Sequence, residues 1–179
     1  MTAEAPSSAP RLIDGPDAAP ASGLAQQGWR VVRFEFAYMA RMRETGRRQG
    51  PDRMPVLQEA FRQQVRLEKA ARPECPLLIG GKSMGGRVAS LLIDELAASA
   101  GVRGCLCLGY PFHPPGKPLQ LRTEHLAALR TPTLILQGER DTFGKRGGGG
   151  HLRPLAKGAA ALDHQRRPQL QAHPEFRAE

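Results

Sequence analysis

Two hydrophobic periods alternate along the chain. Short, mostly apolar runs at Leu77 to Ile79 and Val102 to Leu108 read as strands buried on both faces, the habit of a parallel sheet. Trp29 to Phe36, β-branched and aromatic, predicts a strand before them, and Thr131 to Gln137 predicts one after. Between the strands the apolar positions recur at helical spacing. Val56, Leu57, Ala60, Phe61 and Val65 give one face of a helix over Met54 to Lys69, with Pro55 in its first turn. Val88, Leu91, Leu92 and Leu96 give another over Met84 to Ala98, and Arg122 to Leu129 a third. A short helix from Leu24 closes at Gly28. The order β–α–β–α–β–α–β predicts the α/β class: a mostly parallel sheet with helices on both faces and active groups at the carboxyl ends of its strands.

The pattern fades at both ends. Residues 1–23 are rich in Ala, Pro, Ser and Gly and read as a flexible leader. Residues 24–144 form the patterned domain, in which the basic stretch 41–53, with Gly46, Gly50 and Pro51, reads as a loop. Residues 145–179 are irregular, and only Ala159 to Leu162 offers a helical turn.

The 179 residues suffice for one domain, and 40% hydrophobic with 24% charged residues is ordinary for a soluble protein. No apolar run reaches membrane-spanning length, and Met1 to Pro10 lacks a signal-peptide pattern, so no membrane association is expected. Cys75, Cys105 and Cys107 are odd in number. The last two alternate on one strand face as small buried thiols, which points to a reducing, cytoplasmic compartment. The net charge of +9 raises nucleic-acid binding, but +4 of it lies in residues 145–179. The densest cluster (Arg41, Arg43, Arg47, Arg48, Arg53) is broken by Glu44 and Asp52 and has only Tyr38 as an aromatic neighbour, so no nucleic-acid partner is expected. That segment is a solvated loop before it is a site for an acidic substrate group.

Gly81-Lys82-Ser83-Met84-Gly85 matches G-x-S-x-G, and its setting gives the match weight: a buried strand precedes it and a helix follows. A tight strand-to-helix turn of this kind strains the serine backbone, holds its Oγ above the sheet and aims the Met84 N–H at a developing oxyanion. Small residues two before and two after the serine are expected to avoid clashes. Lys82 is either a tuner of substrate charge or a solvated neighbour. Asp141, in Gly138-Glu139-Arg140-Asp141 after a late strand, stands where a triad acid belongs, with Glu139 as a fallback; a turn-capping role is the plain alternative. His113, after another strand end, either lines the site or packs a loop, and His125 is expected on a helix surface.

Four segments carry a resemblance: Leu-Leu-Ile-Gly-Gly-Lys-Ser-Met-Gly-Gly-Arg-Val-Ala-Ser, Cys-Leu-Gly-Tyr-Pro-Phe-His-Pro-Pro-Gly-Lys-Pro, Leu-Arg-Thr-Glu-His-Leu and Pro-Thr-Leu-Ile-Leu-Gln-Gly-Glu-Arg-Asp. Over residues 24–144 the chain resembles the KANL/Tex-type, dienelactone-hydrolase-like α/β-hydrolase family. The resemblance implies Ser83 as nucleophile, Asp141 as triad acid, a small-molecule acyl substrate and no cofactor. Two features depart from it. Similar proteins open with a strand and a His-Gly-Ala-Gly-like oxyanion loop, and no such segment precedes Gly28, so an early strand reads as deleted. Their triad histidine lies in an Asp-His-x-x-Lys-Pro-like loop. Asp163-His164-Gln165-Arg166-Arg167-Pro168 is similar to it, but without the expected helix and strand before it. With suitable codons, a one-base shift turns Gly147 to Arg153 into Glu-Glu-Val-Ala-Thr-Tyr, so the tail also reads as translation out of frame. The expectation is therefore a serine hydrolase of an ester or related acyl substrate with impaired catalysis. The alternative is a non-catalytic interaction module on the same fold.

Overall fold

A computed structural model of the chain describes residues 11–14, 18–138, 141–143 and 159–163. Six strands, β1 (Arg11–Asp14), β2 (Arg30–Arg33), β3 (Leu77–Lys82), β4 (Val102–Leu108), β5 (Thr133–Gln137) and β6 (Ala159–Asp163), form one sheet in the order β2-β1-β3-β4-β5-β6. Every pairing is parallel. The described helices are α1 (Ala18–Gln26), α2 (Ala37–Thr45), α3 (Met54–Ala71) and α4 (Met84–Ala100), with a 3₁₀ turn at Glu124–Ala128.

The centre follows the sequence pattern closely. On α3, Leu57, Phe61 and Val65 are buried, a single stripe at helical spacing. It packs on α4, which in turn covers β3 and β4. Helix α4 buries Val88, Ala89, Leu92, Ile93 and Leu96 against Leu77, Ile79, Cys105 and Cys107. Fully burying an aliphatic or aromatic side chain of this size is worth about 1.5–3 kcal/mol, so this seam supplies most of the cohesion. The carboxylate of Asp94 ties α4 to the approach to β5: it accepts from the Arg130 N–H, from the Thr131 N–H at 2.8 Å and from the Thr131 hydroxyl at 2.7 Å.

Four expectations are corrected. The leader over 1–23 is not featureless: Arg11–Asp14 is a strand between β2 and β3, and α1 begins at Ala18. A strand thus does precede Trp29, while the expected deletion of an early strand together with its oxyanion loop turns also on residues 15–17, which lie outside the described residues. The four residues of β1 carry little propensity of their own and form because both sides find a parallel partner. In the tail, Ala159–Asp163 is a strand rather than a helical turn, since it pairs residue for residue with β5 and satisfies that strand's outer backbone groups. The basic stretch 41–53 is helical as far as Thr45, because Gly46 at φ 65° provides the left-handed stop for α2. The expected helix over Arg122 to Leu129 contracts to the 3₁₀ turn. Among the described residues, no helix is long and apolar enough to cross a membrane.

Candidate active site

The turn between β3 and α4 is strained at one residue. Ser83 has φ 50° and ψ −113°, and it is the one described non-glycine residue with positive φ. Such a conformation costs about 1–3 kcal/mol for a residue with a side chain, and two features hold it. The Ser83 N–H donates to the Leu108 carbonyl at 2.8 Å, and the Arg87 N–H donates to the Ser83 carbonyl at 3.1 Å. The glycines then let the first turn of α4 approach the sheet. A Cβ at Gly81 would lie 2.7 Å from the Gly85 carbonyl carbon, and one at Gly86 would lie 2.6 Å from the Gly81 oxygen. A Cβ at Gly85 would meet nothing within 4 Å. The small residues that the turn requires are therefore two before and three after the serine. Ser83 is exposed, and its hydroxyl does not cap α4. Met84 is the first residue of α4, so its N–H has no acceptor within the helix.

Ser83, Lys82 and Met84 open onto a cavity of about 350 Å³. Its far wall is aromatic: Phe34, Phe36 and Tyr38 follow β2, and Phe61 comes from α3. Phe34 stands edge-on to both Phe36 and Phe61, each at 5.2 Å between ring centres. Burial, and then the Asp52 carboxylate, raise the Tyr38 phenol above its ordinary value, so it is neutral near pH 7.

A second group gathers at the ends of β4 and β5. The Gly109 N–H donates to the Leu136 carbonyl at 2.8 Å. Asp141 Oδ2 approaches Gly109 so closely that a Cβ there would stand 3.2 Å away. Gln137, buried at 6% exposure, bridges the group: its Oε1 accepts from the Tyr110 N–H at 2.7 Å and its Nε2 donates to Asp141 Oδ2 at 2.9 Å. The Phe143 N–H donates to Asp141 Oδ1 at 2.9 Å. Both carboxylate oxygens thus have donors and the side chain is fixed. Ser83 and Asp141 follow β3 and β5, with β4 between, which is roughly 10 Å at ordinary strand spacing.

His113 is not among the residues that wall the Ser83 cavity. Its Nδ1 lies 2.9 Å from the Pro114 carbonyl and its ring is tilted against Phe143. His125, expected at the surface, is half-buried. Its Nε2 lies 2.9 Å from Ser90 Oγ and 3.5 Å from the Tyr110 hydroxyl. Those two hydroxyls donate to the Arg87 and Arg122 carbonyls, each at 2.9 Å, so both are acceptors for an Nε2–H tautomer of His125. Burial first, and then the Arg87 charge, lower the His125 imidazole below its usual range, while burial pushes the Tyr110 phenol up to about 12. His164 and Glu139 lie outside the described residues; in the chain, His164 directly follows Asp163, which ends β6 in register with Gln137. Among the described residues, no cluster of three or more His, Cys, Asp or Glu side chains is arranged to hold a metal ion.

The alpha/beta hydrolase domain model matches residues 18–152, three-quarters of the chain. The chain belongs to the alpha/beta hydrolase domain family. Solved structures share the fold at low identity. An alpha-beta serine hydrolase homologue from Coxiella burnetii superposes with a TM-score of 0.59 at 16% identity, over 88% of this chain and 76% of that one. A lid-less a/b serine hydrolase from Xanthomonas campestris gives 0.59 at 18%, over 86% and 69%. The NocB thioesterase domain, solved in covalent complex with a fluorophosphonate nocardicin G analogue, gives 0.53 at 18%, over 87% and 83%. In this alpha/beta hydrolase domain, the residues that sequence reasoning missed are Gln137, the aromatic wall and the pair Arg87 and Arg122. An amide at a strand end, four residues before an acid, is the one local signal that could have pointed to Gln137.

Proposed function

We propose that the chain is a serine hydrolase acting on a small ester, thioester or related acyl substrate, of the KANL/Tex-type, dienelactone-hydrolase-like branch of its family. The observation that carries this reading is the strained backbone of Ser83 beside a cavity with an aromatic wall. Ser83 Oγ attacks the acyl carbon while its proton passes to His164. The Met84 N–H stabilises the oxyanion, and the leaving group takes the proton from the imidazole. Water, deprotonated by the same histidine, then releases the acid and restores the serine. Asp141 holds the imidazole in its tautomer and stabilises its charged form. The position of His164 after β6, next to the strand that precedes Asp141, supports its assignment. Strands β1 and β6 extend the sheet on both sides of the elbow; with no His-Gly-Ala-Gly-like loop before Gly28, catalysis is impaired in this reading, and the alternative is a non-catalytic interaction module on the same fold. Three buried cysteines outside any disulfide fit a reducing, cytoplasmic compartment.

Labelling with a fluorophosphonate probe tests this. The folded wild type labels, Ser83→Ala does not, and His164→Ala labels far more slowly. A folded wild type that resists the probe overturns the enzyme reading in favour of the interaction module.

A further inference from the structure

Several arginines of this chain are paired, and others, such as Arg47, Arg48 and Arg103, are exposed to solvent. On α2 and α3 the paired ones face carboxylates: Arg41 pairs with Asp52 at 2.6 Å, Arg43 with Glu35 at 2.9 Å, Arg62 with Glu95 at 2.7 Å and Arg66 with Glu59 at 2.7 Å. Arg87 and Arg122 do not. Among the described residues, no carboxylate lies within ion-pair reach of either guanidinium. Both are partly buried, and the Arg87 Nε–H is shut off from solvent with no acceptor. A buried donor left unmade costs about 1–3 kcal/mol, and two uncompensated like charges add repulsion.

A chain of hydrogen bonds joins the backbone carbonyls of the two arginines through one cluster. It runs from the Arg122 carbonyl to the Tyr110 hydroxyl, on to His125 Nε2, then Ser90 Oγ and the Arg87 carbonyl. Arg122 is fixed from its other side by its N–H, which donates to the Phe112 carbonyl at 2.8 Å. The Arg87 charge is felt across the cluster: after burial, it is the next cause lowering both Arg122 and His125. Arg87 is also bonded directly to the elbow through its N–H on the Ser83 carbonyl. The fork of a guanidinium matches a carboxylate or phosphate, and a pair of forks with no counterion among the described residues offers donors for one.

We propose that Arg87 and Arg122 form an anion-binding subsite, one helical turn behind Ser83, that receives a carboxylate or phosphate oxyanion of the substrate. Its assignment to the substrate rests on the hydrolase reading of Ser83; its existence as an anion site does not. The oxyanion has two sources, a carboxylate on the acyl group or a phosphate on the leaving group. In either case the subsite selects charged acyl compounds over neutral ones, although the cavity beside Ser83 has an aromatic wall.

Calorimetric titration of the full chain with inorganic phosphate and with succinate, at fixed ionic strength, tests the site. At least one anion is expected to bind, and Arg122→Gln and Arg122→Lys each to weaken it about tenfold, the second because an ammonium lacks the fork. Arg103→Gln, an exposed arginine on β4, is expected to leave it unchanged. Arg87→Met is expected to abolish anion binding without loss of stability, since it removes the unsatisfied donor; should that variant fail to fold, the Arg122 pair decides. Absence of binding in folded wild type, or equal weakening by Arg103→Gln, overturns the proposal. The source is read from kcat/KM on an aryl hemisuccinate, an acyl ester of glycerol phosphate and a neutral aryl butyrate. Arg122→Gln is expected to lower kcat/KM about tenfold for one charged ester and to spare the butyrate. Equal loss on all three overturns the link to substrate. Anion binding without fluorophosphonate labelling would sink the hydrolase reading and leave the subsite standing; labelling without anion binding would do the reverse.

Discussion

The two halves of the candidate site are held by different means. The elbow half, β3 to α4, is a backbone construction. Ser83 keeps its strained φ because Gly81 and Gly86 let the first turn of α4 close on the strand, with 2.6 Å between a Cβ at Gly86 and the Gly81 oxygen. The β4–β5 half is a side-chain construction. There Gln137 joins Tyr110 to Asp141, and His125 bridges Ser90 and Tyr110. A backbone construction tolerates no added atom at its contact points, here Gly81 and Gly86, but is written within ten consecutive residues. A side-chain construction tolerates small changes of shape but depends on partners up to 35 residues apart in the chain. Substitutions in the first half should therefore act abruptly, and in the second by degrees.

The largest effect belongs to Ser83. Ser83→Ala is expected to lower hydrolysis by about 10⁴-fold or more, since loss of a triad member leaves only oxyanion stabilisation and binding. Its unfolding midpoint in urea should match the wild type; a variant that still turns over substrate would refute the nucleophile assignment. Next comes the glycine contact. Gly86→Ala is expected to cost about 1–3 kcal/mol by overpacking, whereas Gly85→Ala, with nothing within 4 Å of its Cβ, should be neutral or slightly stabilising. Equal urea midpoints for the two variants would show that the elbow is not closed by the Gly81–Gly86 contact.

Gln137→Leu probes the other half. It leaves the Tyr110 N–H without its acceptor and Asp141 Oδ2 without its donor, at a cost of about 1–3 kcal/mol. Gln137 acts on the reaction through Asp141. Its loss should lower kcat about tenfold with KM little changed, and Gln137→Glu, which restores one oxygen but not the donor, should not rescue it. Unchanged kcat would detach Asp141 from the mechanism.

The smallest effect is the pH response of His125. Its folded pKa is lowered, first by burial and then by Arg87, so the unfolded chain binds the proton more readily. The contribution to stability is whole above the unfolded value of about 6.5 and is lost as pH falls from there towards the lower folded value. His125→Asn should flatten the fall in unfolding free energy below about pH 6.5 relative to wild type. An identical pH profile in the variant would mean that the imidazole takes up its proton equally in both states.

The elements legible in the chain were those that hold their own instructions. Leu77–Lys82, the glycines around Ser83 and the apolar stripe of α4 specify strand, turn and helix by period and by steric need, and β4 was legible from end to end at Val102–Leu108. The placement of Asp141 after β5 followed from strand order. What stayed hidden needed a partner. Arg11–Asp14 and Ala159–Asp163 carry four and five residues of weak strand propensity, and each becomes a strand only against a neighbour already in the sheet. The same holds for charge. The basic run 41–53 read first as a solvated loop, and Arg41 and Arg43 meet carboxylates there, while among the described residues Arg87 and Arg122, unremarkable in the sequence, are left without one. Sequence by itself determined the elbow, because strain and close approach are set by adjacent residues. The tertiary structure decided which strands close the sheet and which charges stay uncompensated, because pairing and burial are properties of neighbours that the chain brings together only on folding.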